Sequence, residues 1–64
     1  MSKAVEITIG IYTYAINTKY VMNVEHVGKL VIIDYAHGLK KNYSFTNDSQ
    51  ALDAYKRIIE AMNS

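Results

Sequence analysis

The chain has no cysteine, no proline and no tryptophan, and only three glycines among its 64 residues. Without cysteine there is no disulfide and no thiolate for zinc, so the two usual supports of a very small domain are missing. The same lack fits a reducing compartment, and with no charged-then-apolar leader before the first strand the expected location is cytoplasmic. No apolar run approaches the eighteen or so residues that span a bilayer, so no membrane segment is expected. Charge of one sign is also lacking. Seven basic and six acidic side chains leave a net +1, whereas nucleic-acid binders usually gather a basic excess on one face. Both Asn-x-Ser matches, at Asn42 and Asn47, matter only in a secreted chain.

Catalytic patterns are absent as well. The acids are scattered singly, no nucleophile stands beside a base, and a chain this short has little volume for an enclosed cleft. His26 and His37 have neither a cysteine nor a second histidine at ligand spacing, and Gly28 and Gly38 do not open a phosphate-cradling loop before a helix. The expectation is a non-enzymatic protein without metal or cofactor.

What is present is a foldable pattern. Half of the residues are apolar and six are tyrosine. Residues 5–16 are β-branched or aromatic at nearly every position, with Val5, Ile7, Ile9 and Ile11 at spacing two, the signature of a long strand. Gly10 interrupts it and either bends the strand or splits it into two. Asn17 and Thr18 read as a two-residue hairpin loop, placing Ala15 opposite Tyr20 and Ile11 opposite Val24. Val27 and Gly28 read as the next, pairing Val24 with Val31 and Met22 with Ile33. For the third connection, a three-residue loop at 36–38 keeps Lys40, Asn42 and Ser44 out of the core and sets Gly38 where a left-handed residue is needed. After Phe45 the period changes to about 3.6, with Leu52, Tyr55, Ile59 and Met62 on one stripe and Ala51 and Ile58 beside it. Asn47 is the expected N-cap, answered by Gln50. The sum is one α+β domain over residues 1–64: a four-stranded antiparallel meander, or five strands if Gly10 splits the first, packed on one face by a C-terminal helix.

These registers put Tyr20, Tyr35, Tyr43 and Tyr55 on the core side. They put Tyr12, Tyr14, Val21, Leu30 and Ile32 together on the opposite face as an uncovered apolar strip, which on a small domain marks a partner-binding surface. Residues 5–8 overhang the second strand, so Val5 and Ile7 are candidates for edge pairing with another chain. A domain of this size buries only about 60% of its unfolded surface, and with disulfide and cysteine-bound metal excluded, association with a second copy is the remaining support. The functional expectation is a protein-interaction module, homodimeric, working through the outer sheet face or the strand-one edge, of the kind that serves as a small inhibitor or adaptor.

A different class of function uses the same strip. Tyr12 and Tyr14 would stack on bases, and Lys19 and Lys40 would meet phosphates. The order of four strands followed by one helix is similar to that of the PC4-like and PUR-repeat families. That resemblance covers element order over the whole chain and implies single-stranded nucleic-acid binding on the sheet. Those families carry more Lys and Arg along the sheet, so this reading stands second. The lysine doublet of Lys40 and Lys41 is otherwise read as protection of an edge strand.

Overall fold

Gly10 ends the first strand. The computed structural model describes residues 4–63, and in it Gly10 has a φ of +62°, a region where L side chains are strained. Together with Ile11 it forms a two-residue loop that reverses the chain, so β1 (Ala4–Ile9) and β2 (Tyr12–Asn17) pair antiparallel. Ile9 lies opposite Tyr12, Ile7 opposite Tyr14 and Val5 opposite Ile16. Glycine first and an ordinary residue second is the type II′ arrangement, whose twist suits a hairpin. The single long strand is thereby replaced by the five-strand alternative.

No hairpin forms at Asn17 and Thr18. Asn17 is extended (φ −86°, ψ 101°) and its side-chain oxygen accepts from the Lys19 N–H at 3.1 Å, starting a 3₁₀ turn at Thr18–Tyr20. A tight hairpin there needs a positive φ, which no non-glycine residue among those described adopts. β3 (Val21–Val27) therefore pairs not with β2 but with β4 (Leu30–Tyr35), and β4 with β5 (Lys40–Ser44). The result is a two-stranded sheet and a separate three-stranded one in the order β3-β4-β5, rather than one four-stranded meander.

The β3–β4 loop is Gly28 and Lys29, one residue later than the sequence suggested, because the positive φ of +59° has to come first. Pairing slides by two residues, and Val24 meets Ile33 instead of Val31. A slip of two leaves residues 23–27 and 30–35 on their expected faces. The β4–β5 connection matches expectation: Asp34 pairs Lys40 and Val31 pairs Tyr43, with Gly38 at φ +89°. Within that loop the Tyr35 N–H donates to the Leu39 carbonyl at 2.8 Å and the Gly38 N–H to the Tyr35 carbonyl at 3.0 Å.

Helix α1 (Asp48–Met62) begins as expected, with the Asn47 side chain accepting from the Gln50 N–H at 2.9 Å. Its buried line runs through Ala51, Ala54, Ile58 and Ala61, while Tyr55, Ile59 and Met62 flank it and Leu52 is exposed. Three alanines let the helix axis approach closely, and it packs on β1, β3, β4 and the 3₁₀ turn. The core joins Val5, Ile7 and Ile16 of the hairpin to Val21, Val24, Val31, Ile33 and Phe45 and to the helix line. The inner face of the three-stranded sheet thus carries α1 over β3 and β4, while Tyr14 of the hairpin reaches Tyr43 on β5. Two backbone bonds prolong the ladders of the three-stranded sheet: Ala36 N–H to the Tyr20 carbonyl, which ties the 3₁₀ turn to the end of β4, and Phe45 N–H to the Lys29 carbonyl, each at 2.8 Å.

Three substitutions test this arrangement. Ile58→Ala is expected to cost about 2–5 kcal/mol, since the side chain is fully enclosed, and Ile59→Ala clearly less; urea unfolding that ranks them the other way would displace the helix face. Gly10→Val should cost about 1–3 kcal/mol through backbone strain alone, because a Cβ there meets nothing within 4 Å.

Candidate functional site

The two-residue turn at Gly10 changes which side chains share a face. Had β1 continued, odd residues would face the core throughout. With Ile9 paired to Tyr12, the even residues of β2 join the odd residues of β1 instead. Tyr12, Tyr14 and Ile16 therefore lie on the hairpin face that carries Val5 and Ile7. Ile16 is wholly enclosed, Tyr14 is at the margin and Tyr12 is exposed. A second parity change comes from the irregularity between Val21 and Asn23: Met22 is the extra residue, and Val21 turns into the core.

The strip formed by Tyr12, Tyr14, Val21, Leu30 and Ile32 is accordingly not continuous. Leu30 and Ile32 remain on the outer face of the three-stranded sheet, half-buried, beside exposed Val27 on β3. Around them stand Asn23, Glu25, Asp34, Lys40, Asn42 and Ser44, the registry neighbours on the same face. Nor do residues 5–8 overhang: Val5 and Ile7 are buried and paired along β2. The two lysines are parted as well. Lys40 sits on the outer face with its Nζ 3.8 Å from the Asp34 carboxylate, whereas Lys19 lies over the Tyr20 ring, 5.6 Å from its centre. Tyr12 and Tyr14 are neighbours, 6.4 Å apart and tilted by 32°, but they are not on Lys40's face.

What the structure brings together instead is a tyrosine-lined groove of about 310 Å³ between β2 and β5. Tyr14 meets Tyr43 edge to face at 5.1 Å, and Tyr35 stacks on His37 at 5.9 Å. Tyr20, Leu39 and Lys41 complete the wall opposite Ala15 and Asn17, and no carboxylate lines it. Burial pushes the Tyr43 hydroxyl up from 10.0 to about 12; the Tyr35 hydroxyl adds to this through charge and a hydrogen bond, and Tyr14 through charge. Sequence pattern assigns these residues other roles, Tyr35 and Tyr43 on the core side, Lys41 as protection of an edge strand and His37 as a histidine without ligand spacing, and does not bring them together; the count of six tyrosines is the one signal of the groove. A wider depression of about 700 Å³ lies between β1 and α1, lined by Glu6, Arg57 and Glu60. Its charges oppose one another and it holds no aromatic ring, so it is the less distinctive surface.

Among the described residues, no group of three or more His, Cys, Asp or Glu is placed to hold a metal ion, and no helix is long and apolar enough to cross a membrane. No known protein family, curated protein or solved structure matches the chain.

The raised Tyr43 hydroxyl has a pH consequence with a definite sign. Between the unfolded value of 10.0 and about 12, the folded chain keeps a proton that the unfolded chain releases. Stability from this group is complete below pH 10 and falls as pH rises through that window. Tyr43→Phe should remove a late component from the tyrosinate absorbance titration, and that variant should lose less stability between neutral and alkaline pH than the parent.

Proposed function

We propose that the chain is a non-enzymatic protein-interaction module that pairs with a second copy of itself through the outer face of the three-stranded sheet. The observation that carries this reading is the apolar centre of Val27, Leu30 and Ile32 on a face covered by no other described element and ringed by polar and charged side chains. An apolar centre with a polar rim is the usual anatomy of an interface. The face is also self-complementary. A half-turn about an axis along β4 lays β3 over the second copy's β5, sets Leu30 and Ile32 against their own copies, and brings Glu25 one register step from the opposite Lys40. In the Asp34–Lys40 pair the lysine is exposed and the carboxylate half-buried; at 3.8 Å a pair so placed is worth little alone, so Lys40 is free to change partner.

The three strands, of seven, six and five residues and paired over about five, offer a face of roughly 14 by 17 Å, small for an interface, so pairing is weak and is sought at micromolar concentration and above. A cytoplasmic location is part of the proposal, since a cysteine-free chain has no need of an oxidising compartment.

Sedimentation equilibrium across the micromolar range should pass from one to two monomer masses. Ile32→Asp should hold the chain at one mass while its circular dichroism stays that of the parent, because a charge in the centre of the face is costly only when the face is covered. A parent that stays monomeric throughout, or an Ile32→Asp variant that still dimerises, would remove the outer face from consideration.

A further inference from the structure

We propose that the groove between β2 and β5 captures an acidic, extended peptide segment of another protein as a strand added to β2. This surface is distinct from the outer face and does not depend on dimerisation.

The first observation is an unpaired strand edge. β2 has a neighbour on one side only. Ile9 and Tyr12 flank a two-residue turn, so they form a hydrogen-bonded pair, and the alternation of antiparallel ladders makes Tyr14 and Ile16 inward-bonding too. Thr13 and Ala15 then aim their N–H and C=O groups away from β1, and Asn17 its N–H, the Asn17 carbonyl being taken up by the 3₁₀ turn that it caps. Among the described residues no other strand pairs with β2 on that side, and no turn or loop backbone bond reaches Thr13 or Ala15. Ala15 and Asn17 line the groove itself. Free peptide groups along a cleft are what strand addition uses for affinity, with alternate side chains of the guest supplying specificity.

The second observation is the sign of the lining. Lys41 faces the groove from β5, opposite Ile33 in the register. His37 stands beside it, Lys19 lies over neighbouring Tyr20, and no acid answers them. Tyrosine hydroxyls from Tyr35 and Tyr43 line the groove with them, and phenols donate to carboxylates. A guest strand on β2 presents every second side chain to this wall, so acidic residues at alternating positions match it. Charge also decides against a second copy as the guest. Two β2 edges paired to each other would bring two lysine-bearing walls together with no carboxylate between them.

The probe is a capped octapeptide of alternating Thr and Glu, titrated into the full-length, isotope-labelled chain and followed by amide resonances. Expected are saturable shifts at Ala15, Asn17 and Lys41, slowed hydrogen exchange at the Thr13, Ala15 and Asn17 amides, and weakening with salt. Lys41→Glu, a change at an exposed side chain, should weaken this peptide about tenfold or more and admit the alternating Thr–Lys peptide instead. No saturable shift at millimolar peptide, equal binding of both peptides by the parent, or shifts confined to Leu30 and Ile32 would each overturn the proposal. So would tighter, salt-sensitive binding of oligothymidylate at the same amides, which would assign the groove to single-stranded nucleic acid. Because the dimer is read from mass and the groove from amide shifts, failure of either leaves the other interpretable.

Discussion

The reversal at Gly10 is the constraint on which the rest of this structure depends. A positive φ at that one residue folds β1 onto β2, buries Val5, Ile7 and Ile16 on a common face, and turns Tyr14 toward Tyr43. Without it, the second half of the segment would present the opposite set of side chains. The hairpin then has a hydrophobic face that is useless until something covers it. α1 and the inner face of the three-stranded sheet supply that cover, and the three alanines on the helix are what let all three layers meet.

Legibility in the sequence followed the range of the signal. The helix and its Asn47 cap were readable because a cap is a contact between residues three apart. The β4–β5 register was readable because burial pattern and turn chemistry agreed at Gly38. The Asn17 hairpin misled because alternation on both sides of a polar pair looks the same whether the chain turns tightly or passes through a 3₁₀ turn. Only Thr18 argued otherwise: asparagine tolerates positive φ, but a type I′ loop needs it at both positions and a β-branched residue is strained there. Parity was the deeper difficulty: Gly10 and Met22 each exchange the faces of what lies beyond them, and alternation alone does not show where an exchange occurs.

The surface assignments inherited those exchanges. Leu30 and Ile32 kept their expected place because both belong to β4, whose faces no parity break disturbs. Tyr12, Tyr14 and Val21 moved to the inner side because each is set by a break, and with them went the expected apolar strip. The groove arose from the same movement. It joins β2 to β5, elements that are not hydrogen-bonded to one another, so no local pattern announced it.

The union of Val5 and Ile7 with Ile58 and Ala61 in one core sets an order of events during synthesis. Both sheets can begin to form from neighbouring segments as the chain emerges, since hairpins close over short loops. The layer that seals them follows both sheets in the chain, so the apolar faces of the nascent sheets stay open to solvent until α1 has emerged. Exposed apolar faces and unpaired strand edges of that kind are the ones prone to association. The domain acquires its cooperative stability in a single late step, and shortening the helix would return it to that exposed state.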